Sequence, residues 1–195
     1  MNRKLIAGVD EAGRGPLAGP VAVAAVILDP AAIPAGLDDS KALSEAERER
    51  LYVEIMASSI CVTLAYAGPA AIARLNIRGA TLDAMRRAVT ALAMRPATVL
   101  IDGRDVPPGL PCRGRALVGG DALEPAISAA SIVAKVTRDR LMTALGAQYP
   151  LYGFERHKGY GTSEHLAAID RHGPTPHHRL GFGPLKAWAG ITDSP

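Results

Sequence analysis

The chain has 195 residues, 48% hydrophobic and 21% charged, with a formal net charge of +3. That balance excludes a disordered chain and is enough for one substantial core, so a single domain spanning residues 1–195 is expected, with a C-terminal extension from about residue 146. Cys61 and Cys112 form no CxxC pair, which excludes a disulfide-stapled secreted scaffold and reads as two free thiols. The first residues lead straight into a predicted strand, and no apolar run approaches the ~20 residues of a membrane span. A cytoplasmic protein without signal peptide or membrane contact is expected.

In chain order, residues 4–10 read as a buried strand and Val21–Leu28 (VAVAAVIL) as its antiparallel neighbour, joined by a turn rich in glycine and proline. Ser44 and Glu47 form an S-x-x-E capping box that opens a helix over 44–58. A third strand covers Ile60–Ala67. A short helix through Leu75 and a longer one over 79–94 follow, with Leu82, Met85, Val89 and Leu92 spaced by three and four. Strands at Ala97–Asp102 and, briefly, up to Val118 flank a Pro/Gly-rich loop over 103–114. A helix then runs over 124–145, Pro125 being tolerated in its first turn. Residues 149–162 read as a loop, Ser163–Arg171 as a last helix, and the final residues are expected to fray. The order of strands and helices predicts an α/β fold, one mixed five-stranded sheet flanked by helices.

Acidic residues stand at the ends of these strands. Asp10 and Glu11 follow LIAGV, Asp102 follows TVLI, and Asp121 follows ALVGG. Desolvating a carboxylate costs several kcal/mol without a compensating partner, and three or four convergent carboxylates form the oxygen-rich set that Mg²⁺ or Mn²⁺ requires. Two such ions activate a water and stabilise the leaving oxygen of a phosphoryl displacement. Adjacent strand residues point to opposite faces, so Asp10 and Glu11 reach one site only if the strand has ended there, a turn that Gly13 and Gly15 favour. With the four acids set aside as ligands, the remaining surface is basic and suits a nucleic-acid partner. Gly13-Arg14-Gly15 lets backbone amides approach a ligand. The five histidines, at 157, 165, 172, 177 and 178, match no zinc spacing.

The segments GVDEAGRGPLAGPV, DSKALS, LIDG, GGD, ISAASIVAKVTRD, YGFERHKGYGT and HHRLGF occur in that order over roughly residues 6–182, and together they resemble the bacterial ribonuclease HII family. The resemblance implies a ribonuclease H-like fold with a helical C-terminal extension. It also implies hydrolysis of RNA in RNA/DNA hybrids, and at single ribonucleotides in duplex DNA, with Mn²⁺ or Mg²⁺. It assigns catalysis and metal binding to Asp10, Glu11, Asp102 and Asp121. Gly13, Arg14 and Gly15 would read the 2′-hydroxyl, Tyr160 would pack on the adjoining deoxyribose, and Lys41 and Lys135 would hold phosphates. Arg138 and Asp139 read as a pair on the helix surface. The protein is expected to act as a monomer. A junction resolvase of the same fold would share the acids without needing Gly13-Arg14-Gly15 or Tyr160, and a non-catalytic duplex-binding protein would leave the acids solvated.

Overall fold

The computed structural model of the chain describes residues 5–190. At its centre lies β2 (Val21–Ile27), whose seven residues are all buried. A strand that is apolar throughout requires cover on both faces. β1 (Ile6–Ala12) and β3 (Cys61–Ala67) flank it antiparallel, and β4 (Thr98–Asp102) and β5 (Arg113–Leu117) continue the sheet parallel to β1, in the order β3-β2-β1-β4-β5. The predicted mixed sheet and the antiparallel β1–β2 pair are both present.

Helices cover the two faces. α2 (Pro69–Thr90) packs on the face carrying Ala7, Val9, Val23, Ala25, Val99 and Ile101. α1 (Glu45–Ser58) and α3 (Pro125–Gln148) pack on the opposite face, against Ala24 and Val26. The capping box of α1 is complete: the Ser44 amide donates to the Glu47 carboxylate at 2.9 Å and the Glu47 amide to Ser44 Oγ at 3.3 Å. α2 is interrupted at Asn76, whose φ of 55° is not helical and whose Oδ1 accepts from the Gly79 amide at 3.0 Å. The two predicted helices are therefore real, with Asn76 capping the second.

Several boundaries differ from expectation, among them the end of α2 at Thr90 rather than 94 and of α3 at Gln148 rather than 145. β1 runs on to Ala12 because its pairing with β2 continues to Ala12 opposite Ala22; Lys4, the expected start, and the expected frayed terminus beyond 190 lie outside the described residues. β5 begins at Arg113, where a loop was expected, because an edge strand needs no apolar run and exposed Arg113 and Arg115 suit such an edge. The segment expected as a loop contains the one-turn helix α4 (Phe154–His157), bounded by left-handed Gly153 and Lys158. α5 (Ser163–His172) and a 3₁₀ segment (Gly183–Ala189) follow. These C-terminal pieces bury Tyr152, Phe154, Ala168, Ile169 and Leu185 against Leu17, Met142 and Leu145. No helix among the described residues is long and apolar enough to cross a membrane.

One close approach positions everything that follows. A Cβ on Gly8 would stand 2.1 Å from the Ala126 carbonyl group and 2.4 Å from the Ile127 nitrogen, so the start of α3 lies directly on the β1 backbone. Gly8→Ala is expected to lower stability by about 3 kcal/mol, the upper end of overpacking costs, in urea unfolding. Gly181→Ala, with nothing within 4 Å of the added carbon, should be neutral; equal stability of the two variants would contradict this packing.

Candidate active site

β1 and β4 pair in parallel with Val9 opposite Ile101, so the next residues on each, Asp10 and Asp102, come abreast on the face covered by α3. Beyond β5, left-handed Gly119 turns the chain into a 3₁₀ turn (Gly120–Ala122) that brings in Asp121. Each of the three carboxylates offers an oxygen within 4.8 Å of the others. The Gly120 amide donates to Asp102 Oδ1 at 2.9 Å, the Glu11 amide to Asp10 Oδ1 at 2.7 Å, and the Ser128 hydroxyl to the Asp121 carbonyl. The cluster is thus held from the main chain and from the first turns of α3.

Its charge is poorly compensated. Burial, reinforced by the charges of Glu11 and Asp102, raises the pKa of Asp10 well above the carboxylate range, although the Ser131 hydroxyl opposes this. Burial and Asp102 likewise raise that of Asp121. Lys41 Nζ lies 3.9 Å from Asp121 and 3.7 Å from Asp39, but its side chain is 80% exposed, so it screens weakly. Burial lowers the Lys41 pKa and Asp39, Asp121, Asp10 and Asp102 together raise it by more. Three convergent carboxylates, compensated only by the exposed Lys41, are a donor set that fits a hard divalent ion.

Glu11 departs from the expected four-fold convergence. Because β1 has not ended, strand alternation turns Glu11 to the α2 face, and it is not one of the three mutually close acids. It instead lines a cleft with Asp102, Arg14, Arg78 and Thr81, 3.4 Å from the Arg14 guanidinium. Burial raises its pKa, Arg14 opposes this, and Asp102 adds to the rise. Asp102 therefore lies on the boundary between the two faces, and through it Glu11 senses the triplet.

Asp10, Glu11, Gly13, Arg14, Gly15, Lys41, Asp102, Lys135 and Tyr160 all line one further cleft, and Asp121 adjoins it through Asp10 and Asp102. The cleft thus gathers the assigned residues other than Asp121, which joins it at the carboxylate triplet, while Glu11 stands outside that triplet. Lys135 is not a free cation, since Asp139 binds it at 2.7 Å. Tyr160 is 48% exposed, and its Cε1 is 3.8 Å from where a Gly15 Cβ would stand.

Two buried arginines were missed. Arg138, expected on the helix surface with Asp139, is 1% exposed and donates to the carbonyls of Pro20, Ala18 and Lys158 at 3.0–3.3 Å. Arg179 is 2% exposed and donates to the carbonyls of Gly19, Arg14 and Gly13 at 2.7–2.9 Å. Burial, with the nearby charge of Arg138, pushes the Arg179 pKa down to about 9, which still leaves it protonated at neutral pH. The glycine at 13 is required from the inside: its φ is +90°, and a Cβ there would lie 1.8 Å from Arg138 Nε. A helix stretch otherwise dense in small buried residues was the available signal for Arg138. A third unforeseen feature is the buried Ser131–Ser40 hydrogen bond at 2.8 Å, which ties the Lys41 loop to α3 beside Asp10.

Comparisons with known proteins place the chain in a family. The family model of ribonuclease HII matches residues 7–183. A ribonuclease HII of Agrobacterium fabrum is 59% identical over 181 residues, covering 93% of this chain and 83% of that protein. The crystal structure of ribonuclease H2 from Pyrococcus horikoshii superposes with a TM-score of 0.81 at 27% identity, covering 94% of this chain and 96% of the other. The ribonuclease HII in a PCNA complex from Archaeoglobus fulgidus gives 0.76 at 26% identity, covering 92% and 95%. The chain belongs to the ribonuclease HII family, nucleases that hydrolyse RNA in RNA/DNA hybrids.

Proposed function

We propose that this protein cuts duplex DNA on the 5′ side of a single embedded ribonucleotide as well as the RNA strand of continuous hybrids. The observation that carries the reading is one cleft in which the carboxylates meet Gly13-Arg14-Gly15 and Tyr160. Asp10, Asp102 and Asp121 are assigned as ligands of Mn²⁺ or Mg²⁺, with Glu11 as the fourth acid, acting from the rim that Asp102 shares. Bound divalent ions supply an activated water and charge stabilisation for the leaving oxygen. The side chains do the rest: the carboxylates fix the reacting phosphate's surroundings, and Lys41 and Lys135 face phosphates on either side. The product ends are a 3′-hydroxyl and a 5′-phosphate on the ribonucleotide.

Selectivity is assigned to the loop. Main-chain groups of Gly13 and Gly15 have the donors and acceptors that a 2′-hydroxyl matches, and Arg179 and Arg138 hold that backbone rigid. Tyr160 is assigned to the face of the next deoxyribose, where a hydroxyl would clash. One ribonuclease H-like domain, acting as a monomer in the cytoplasm, suffices for this chemistry.

A duplex carrying one ribonucleotide is expected to be nicked once, 5′ to it, in Mn²⁺ and not in EDTA, with the all-DNA duplex intact. Cutting of the all-DNA control, or no cutting of the single-ribonucleotide duplex, would contradict the reading.

Asp10 supplies a stability test with a definite sign. Its raised pKa means that the metal-free native state retains a proton that the unfolded chain releases near 3.8, so stability is lost as pH rises through the raised value. Asp10→Asn carries no such charge. It should abolish Mn²⁺-stimulated cleavage, keep hybrid binding, and raise the melting temperature in EDTA at neutral pH. A lower melting temperature than the parent would refute the electrostatic account.

A further inference from the structure

Tyr160 reaches the cleft without a side-chain anchor of its own in the hydrogen-bond network; its main chain is what is tied down. The Tyr160 amide donates to the His157 carbonyl at 2.9 Å, and the Tyr160 carbonyl accepts from the Thr162 amide at 2.9 Å and from His165 Nδ1 at 2.8 Å. Gly159 just before it accepts from the Leu17 amide at 2.8 Å, which fixes this loop to the segment after Gly15. His165 is fully buried on α5, and its Nε2 lies 3.0 Å from Nε2 of His178, which is 3% exposed. The Thr175 amide points at His178 Nδ1 at 2.8 Å.

The proton positions follow from donor and acceptor accounting. A peptide N–H only donates, so His178 Nδ1 carries no proton and the neutral ring is protonated at Nε2. That N–H faces His165 Nε2, which must accept, and the His165 proton is left on Nδ1 facing the Tyr160 carbonyl. The bonds run in one direction, from Thr175 through His178 and His165 to Tyr160.

We propose that His165 and His178 are positioning residues that set Tyr160 against the deoxyribose at an RNA-to-DNA junction. The proposal rests on the assignment of Tyr160 made above. A further proton on His165 would set two N–H groups against each other across 3.0 Å, and one on His178 would oppose the Thr175 amide. The surroundings keep both rings neutral: burial lowers both pKa values, that of His178 to about 4, with His157 and His177 adding to the effect. His157 stacks on His165 at 4.4 Å between ring centres, and Tyr152 and Phe154 close the pocket. Glu164, the other charged neighbour, is held outward by Arg156. An apolar side chain could fill the same volume, but it could not supply the directed donor.

The test compares kcat and KM on a single-ribonucleotide duplex, where the next sugar is deoxyribose, and on a continuous hybrid, where it is ribose. His178→Leu should lower the junction-to-hybrid ratio by up to about a hundredfold, the scale of a contact misplaced by about 1 Å, and Tyr160→Ala should lower it likewise. His178→Gln, whose amide nitrogen can still donate to His165, should restore most of the ratio. The double variant His178→Leu/Tyr160→Ala should be no worse than Tyr160→Ala alone. If Tyr160→Ala leaves the ratio unchanged, the assignment of Tyr160 fails and the relay with it. If Tyr160→Ala lowers the ratio while His178→Leu lowers both substrates equally, only the relay is overturned. Should His178→Leu not fold, imidazole ¹⁵N spectra of the unaltered protein decide: Nδ1–H on His165 with Nε2–H on His178 supports the relay, and the opposite tautomer on either ring overturns it.

Discussion

The parallel pairing of β1 with β4 is the constraint on which the site depends. With Val9 opposite Ile101, the register leaves Asp10 and Asp102 no choice but to share a face, in a place where burial and like charge both disfavour the Asp10 carboxylate. Asp121 joins them through a glycine-dependent turn. The contact of the Gly8 backbone with the start of α3 delivers the Ser128 hydroxyl to the Asp121 main-chain carbonyl and the Ser131 hydroxyl to the Asp10 carboxylate. Carboxylates mounted on strands are fixed more closely than carboxylates on loops.

The loop after β1 is built differently from the acid cluster. It has few side chains of its own to hold it, and its shape comes from two buried guanidinium groups that spend their donors on main-chain carbonyls. Arg138 approaches from α3 and Arg179 from the C-terminal segment, so the loop is gripped from both sides. The C-terminal extension thereby contributes to the cleft: its connecting segments carry Tyr160, Arg179 and His178, and α5 carries His165.

Much of this was legible in the sequence where one local rule acts alone. The Ser44–Glu47 capping box, the uninterrupted apolar run of β2 and the strand-end positions of Asp10 and Asp102 each follow from short-range chemistry. Glu11 shows where such reasoning reached its limit: alternation was weighed against an early end to the strand, and pairing of Ala12 with Ala22 decided for alternation. Arg138 was read as a surface residue because its partners, at positions 18, 20 and 158, are set by tertiary packing that no helical period reveals. Arg113 and Arg115 hid the start of β5, whose end near Val118 was expected, because an exposed edge strand carries no apolar signal. The histidines matched no metal spacing, and the chain of bonds through His178 and His165 became visible only in the tertiary structure.

The central claim is that Asp10, Asp102 and Asp121 together form the cation site. Anomalous scattering from crystals soaked in Mn²⁺ tests it most directly. The account predicts anomalous density bounded by these three carboxylates. Density elsewhere, with the triplet bare at saturating Mn²⁺, would contradict it.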